Sequence, residues 1–219
     1  MSNKRNKGAR KKQLKFRVLP KAKNDKKPNS ILASLGYKIS KAPVDDGDLR
    51  DLPDEVQDQI ESLYRRVQIK PIGTTTELEL LIDIYPHIPQ LYNYLYAAYA
   101  SAGKKTKALK IMKDNYERNP SYLFAKLNYS DYLVGQGMYE AAAEIYDYKF
   151  DLAQLYPDRN TFHESEVLSF YGVIGHYYVM TNNYNKAMHC LKVLKALSTS
   201  HGYTLRLKEK LDKYGKFIA

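Results

Sequence analysis

The chain has one cysteine, Cys190, and no tryptophan. A single thiol cannot close a disulfide within the chain, so the fold must hold by burial alone, and a reducing compartment is the simple expectation. Cys190 reads as a small apolar filler on a helix. No apolar run reaches the roughly 18 residues that a membrane-spanning helix needs. The lysine-rich beginning has no apolar segment behind it, unlike a secretory signal, and lacks the Arg- and Ser-rich pattern of a mitochondrial presequence. Catalytic constellations are missing as well. None of the five histidines (His87, His163, His176, His189 and His201) stands at metal-ligand spacing from another, and no set of cysteines joins them. There is no glycine-rich phosphate loop and no nucleophile elbow. His163 and Glu164 are adjacent, and adjacent side chains do not converge. The expectation is a protein without enzymatic activity, metal or cofactor.

What is present points elsewhere. At 219 residues and 44% hydrophobic content, the chain can bury a core in one large domain or a domain plus a tail. It holds 21 Tyr, a residue suited to helix faces that are packed at one end and wet at the other. The net charge of +11 is concentrated. Residues 1–30 hold twelve cations (Lys4, Arg5, Lys7, Arg10, Lys11, Lys12, Lys15, Arg17, Lys21, Lys23, Lys26 and Lys27) against Asp25, which gives +11 for that stretch alone. Residues 31–219 hold 23 basic and 23 acidic side chains and sum to zero. Such an arm repels itself and buries little, so it is expected to be disordered when free. On a polyanion it gains free energy by releasing condensed counterions. Solubility, nuclear import, and binding to acidic proteins or anionic lipid are rival roles. An acidic stretch follows, with Asp45, Asp46, Asp48, Asp51, Asp54, Glu55, Asp58 and Glu61 against Arg50 alone. The division expected is a disordered basic arm and acidic linker over 1–50 and a helical domain over 51–219.

The body repeats itself. Ala108 and Ala142 lie 34 residues apart, as do Tyr99 and Leu133, and Met112 and Tyr146. A third copy follows 45 residues later, from Ala142 to Ala187, so about 11 residues are inserted. The first copy, 89–122, carries Tyr92, Leu95, Tyr99, Ala108, Met112 and Pro120, with Tyr96 where a small residue is expected. The second, 123–156, carries Ser130, Leu133, Ala142 and Tyr146, with Lys126 at an apolar position. The third, 168–201, carries Tyr171, Ile174, Gly175, Tyr178, Ala187 and Leu191. This pattern resembles the tetratricopeptide repeat family. In that family small residues let two antiparallel helices approach, large ones fill the gaps, and no repeat buries its face alone. Around the three copies, 53–88 reads as a degenerate first repeat, in which Thr74 and Glu77 suggest a capping box. Residues 203–217 read as a capping helix with Leu205, Leu207, Leu211 and Phe217 on its apolar side. The fold class expected is all-α, a tetratricopeptide-type solenoid.

The resemblance implies a concave groove lined by Gln90, Asn93, Tyr94, Ala97, Phe124, Leu127, Asn128, Asp131, Ser169, Gly172, Val173 and His176. One subfamily grips a terminal carboxylate with a Lys and an Asn in one repeat, an Asn in the next, and a Lys and an Arg in the third. Here those places hold Asn93, Ala97, Asn128, Ser169 and Val173, and only Asn128 matches, so the charge-assisted bonds would be missing. The groove reads as neutral, suited to a protein or peptide partner. The leading expectation is therefore a cytoplasmic scaffold (or nuclear, in a eukaryote) that binds a partner in its groove, with its arm docked on RNA, a ribosome or DNA. Two alternatives stand beside it. One is nucleic-acid binding by the helical array itself, through cations such as Lys104, Lys105, Lys107, Lys110, Lys113 and Arg118. The other is a secretion-type chaperone. The inserted stretch 157–167 reads as a lengthened helix–helix loop.

Overall fold

The computed structural model describes residues 30–42 and 47–214. The twelve arm cations, Asp45, Asp46 and Phe217 lie outside the described residues, so the expectation of a disordered arm concerns a segment not described. The described residues are mostly helical. In chain order they form α1 (Ser30–Ala33), the strand β1 (Lys38–Ser40), α2 (Gly47–Arg50), α3 (Asp54–Ile69), a 3₁₀ turn at Pro71–Thr74, α4 (Thr75–Ile84), α5 (Pro89–Ser101) and α6 (Lys105–Arg118). Then come α7 (Leu123–Gly135), α8 (Tyr139–Glu144), α9 (Leu152–Leu155), the strand β2 (Thr161–His163), α10 (Glu164–Met180), α11 (Tyr184–Leu197) and α12 (Gly202–Tyr214).

Three helix pairs share one turn. α5, α7 and α10 each end at a residue in the left-handed region: Gly103 at φ +70°, Gly137 at +76° and Asn182 at +59°. At each, the next residue's N–H reaches back to the carbonyl five positions earlier. These bonds are Lys104 to Tyr99 (2.9 Å), Met138 to Leu133 (2.9 Å) and Asn183 to Tyr178 (2.7 Å). A second bond runs from the left-handed residue to the carbonyl three positions earlier, at 3.1 Å in all three cases. This pair of bonds is the Schellman arrangement, which satisfies carbonyls a helix end would otherwise leave open. Glycine adopts that φ without a Cβ penalty, and Asn tolerates it. Five residues beyond each turn sits a buried alanine, Ala108, Ala142 or Ala187. Its small side chain lets the second helix lie close to the first, and α6 packs on α5, α8 on α7 and α11 on α10. Between pairs, α5 touches α7 and α7 touches α10.

The second pair departs from the others. α8 spans 6 residues, against 14 for α6 and for α11. Two consecutive left-handed residues, Asp147 and Tyr148, end it, and the chain turns outward through α9. The insertion then does more than lengthen a loop. It supplies β2, which pairs in parallel with β1, Ile39 opposite Phe162. Its last residues, Glu164 to Val167, open α10. The strand pair was not foreseen because each strand is three residues long, too short for a period-2 pattern to register.

The packed body also reaches back beyond residue 51. Leu35 is buried, and Ile31, Leu32, Tyr37 and Ile39 pack against the same core as α7, α10 and α11. The Tyr37 ring meets the edge of Phe162 at 4.8 Å. Residues 31–42 therefore belong with the helices rather than with an arm and linker. Two smaller corrections concern helix ends. Thr74 gives α4 no side-chain cap; its hydroxyl donates to the Pro71 carbonyl at 2.7 Å. Glu77 instead accepts two bonds from Arg66, at 2.8 and 2.6 Å, because a bidentate charge-assisted pair outcompetes a backbone cap. On α12 the buried side chains are Thr204, Leu207 and Leu211, whereas Leu205 is exposed.

Gly137→Ala should cost about 1 kcal/mol of stability, because alanine is strained at a left-handed φ. Asn182→Gly should stay within about 0.5 kcal/mol of the parent, since it relieves that strain while loosening the unfolded chain. Urea unfolding followed by circular dichroism measures both.

Candidate functional site

A groove of about 490 Å³ lies among these helices. Tyr96 and Ala100 of α5 form one wall, and Ala108, Leu109 and Met112 of α6 form another. Asn128, Asp131 and Tyr132 of α7, Val173 of α10 and Tyr203 of α12 complete it. Beside it opens a notch of about 240 Å³, lined by Asp131, Gly172, His176, Tyr203, Arg206, Leu207 and Lys210. Asp131 and Tyr203 line both, so the two spaces adjoin.

The residues expected to line a groove divide into three groups. Asn128, Asp131, Val173, Gly172 and His176 line the groove or the notch. Gln90, Leu127 and Ser169 are buried within the helix packing. Tyr94 and Phe124 are half-buried with aromatic neighbours, Tyr94 against Tyr64 and Phe124 against Tyr122. Asn93 and Ala97 are half-buried too. The polar members pair across the helices. Asn128 donates from Nδ2 to Asn93 Oδ1 at 2.7 Å, tying α7 to α5. His176 Nδ1 lies 2.8 Å from Asp131 Oδ1, tying α10 to α7, while Asp131 keeps 40% of its side chain exposed. Asp131 thus commits one oxygen to the scaffold while lining both openings.

Several lining residues were not among those expected. Leu109 and Met112 come from a second helix, and Tyr203, Arg206 and Lys210 come from α12. Tyr96 carried a signal in the sequence, as the large residue at a small-residue position; it fills the wall instead of letting a helix approach. Tyr203 had no such signal. Its seat is made by two glycines on α10. A Cβ at Gly172 would stand 2.3–2.8 Å from the Tyr203 ring and Cβ, and one at Gly175 would stand 2.4 Å from a Leu207 methyl. α12 therefore lies against bare backbone, and its ring closes the end of the groove. Burial raises the Tyr203 phenol above its ordinary range, so the hydroxyl stays protonated.

At the far end of α10, the insertion fixes how the helix begins. Glu166 is buried and accepts from Arg159 at 3.0 and 2.8 Å. Its second oxygen also takes the His163 N–H at 2.8 Å, and the His163 ring accepts from the Ser165 N–H at 3.2 Å. The Arg159 guanidinium lies 4.3 Å over the Phe162 ring. This cluster positions α10 and so the floor of the groove. Both carboxylate oxygens are thereby engaged.

Among the described residues, no group of three or more His, Cys, Asp or Glu side chains could hold a metal ion. Nor is any helix there long and apolar enough to cross a membrane. No family model, no curated protein and no solved structure matches the chain.

Two outcomes follow from this packing. Gly172→Ala should lower stability by about 2 kcal/mol and speed amide exchange in α12, because Tyr203 has to leave its seat. Gly135→Ala, with open space around it, should be neutral or stabilise by up to about 1 kcal/mol. Burial pushes the Cys190 thiol up to about 12. A disulfide reagent at neutral pH should therefore modify Cys190 only as fast as the fold opens, and quickly in urea.

Proposed function

We propose that the chain is a non-catalytic adaptor of the tetratricopeptide type. Its concave groove takes a protein or peptide partner, and its basic arm docks the assembly on a polyanion such as RNA, a ribosome or DNA. The observation that carries the first half is the groove itself. Three pairs of helices are turned by the same two hydrogen bonds, and the groove beside them is rich in aliphatic and tyrosine side chains. Such a surface resembles the apolar core of a protein interface more than a catalytic pocket. The second half rests on charge: twelve cations and one acid in 30 residues, set before a body of zero net charge.

The two halves separate experimentally. One variant replaces the twelve arm cations with Gln, and a second places a cation in the groove with Leu109→Lys, at a lining residue that is partly exposed. Neutralising the arm should weaken binding to single-stranded RNA and flatten its salt dependence, by about 0.7 in the log–log slope for each phosphate that the arm no longer neutralises. Leu109→Lys should leave RNA binding unchanged and abolish capture of a protein partner that survives nuclease. RNA binding that persists without the arm and falls when Lys105, Lys107 and Lys110 are removed would transfer the function to the array.

A further inference from the structure

The groove and the notch together differ in chemistry from the neutral surface that the repeats alone offer. The difference comes from α12. Arg206 and Lys210 stand at i and i+4 on that helix, on one face, and both line the notch. The Arg206 guanidinium lies 4.7 Å over the Tyr203 ring, and its Nε approaches the Gly202 carbonyl at 3.4 Å. The stacking holds the charged end at the notch. Lys105 of α6 lines the groove. Among the described residues, none of these three cations has an ion-pair partner. Glu209, three residues after Arg206, makes no ion pair with it. The one acid on the lining is Asp131, which is held by His176.

We infer that the groove recognises an acidic–apolar peptide segment: one large aliphatic or aromatic side chain enters the chamber, and a neighbouring Asp or Glu meets Arg206 and Lys210. This rests on the adaptor reading and names its partner class. The chamber between Leu109, Met112, Val173 and the rings of Tyr96, Tyr132 and Tyr203 fits an apolar side chain, whose burial supplies the bulk of the affinity. The cations at its end select a carboxylate, and Arg206 can take one bidentately. Asp131, on the wall shared by both spaces, suits a peptide backbone, whose N–H can donate to it. A nucleic-acid strand would bring phosphates past that same carboxylate and would leave the apolar chamber unfilled.

The test uses the full chain with its twelve arm cations replaced by Gln, so that the arm does not itself attract acidic probes. Three fluorescein-labelled short peptides serve as probes: one of Leu and Phe interleaved with Asp and Glu, one with Asn and Gln in place of the acids, and one with Ser in place of the apolar residues. Oligouridylate of matching charge is the fourth. Fluorescence polarisation should show the acidic–apolar peptide binding tightest. Arg206→Glu with Lys210→Glu should weaken it by roughly tenfold, with the urea midpoint unchanged because both side chains reach solvent. The same double variant should favour a peptide with Lys in place of the acids. If the Asn/Gln peptide binds equally well and Leu109→Lys abolishes it, the acidic class is wrong and the adaptor groove stands. If no peptide binds while oligouridylate does, and the double variant loses it, both readings fall. Absence of binding by all four probes also overturns the inference.

Discussion

The close approach of two helix backbones at a residue with almost no side chain is the constraint on which the rest of this structure depends. It recurs in two forms. Within each pair, a left-handed residue reverses the chain, and an alanine five positions later lets the second helix settle against the first. Between α10 and α12, Gly172 and Gly175 present bare backbone to Tyr203 and Leu207. Remove the small residues and the large ones have nowhere to go. Tyr99, Leu133 and Tyr178, each buried beside a turn, owe their positions to that spacing. Tertiary packing of this kind, rather than helix propensity, supplies most of the stability of helices this short.

The N-terminal segment is held by another principle. Tyr37 and Ile39 join the third pair through a two-strand ladder, the edge of Phe162 and the core beneath it. The same Phe162 lies under Arg159, whose guanidinium satisfies the buried Glu166. One cluster thus fixes the start of α10, closes the insertion, and anchors the segment that leads to the basic arm. A buried carboxylate with a bidentate partner and an additional backbone donor has both oxygens engaged and its charge compensated.

Much of the helical pattern was legible in the chain itself. The 34-residue offset relates Gly103 to Gly137 and Ala108 to Ala142, and the structure places the glycines in matching turns and the alanines at matching places on the helices that follow. Asn182 breaks the glycine pattern yet occupies the same conformation, because Asn bears the left-handed φ at small cost. The short α8 was not legible: 123–156 reads as a full repeat, whereas α8 stops at Glu144 and a double left-handed step follows at Asp147 and Tyr148. The groove was half legible. Asn128, Asp131, Gly172, Val173 and His176 face the two openings, whereas Gln90, Leu127 and Ser169 are consumed by packing. One periodic position can face a cavity in one pair and a neighbouring helix in the next, since the insertion and α12 make the pairs unequal.

The sequence by itself determined the helical class, the spacing of the turns and the segregation of charge, because each is a local or compositional property. Glycine and Asn set backbone reversals within a few residues, apolar periodicity sets the buried face, and twelve cations in one segment set its electrostatics whatever the rest does. Tertiary structure decided what the groove is made of. Tyr203, Arg206 and Lys210 reach it only because α12 folds back onto two glycines some thirty residues earlier. β1 finds β2 across more than a hundred residues. Such contacts depend on which surfaces remain unburied after the helices have paired, and no local pattern records that remainder.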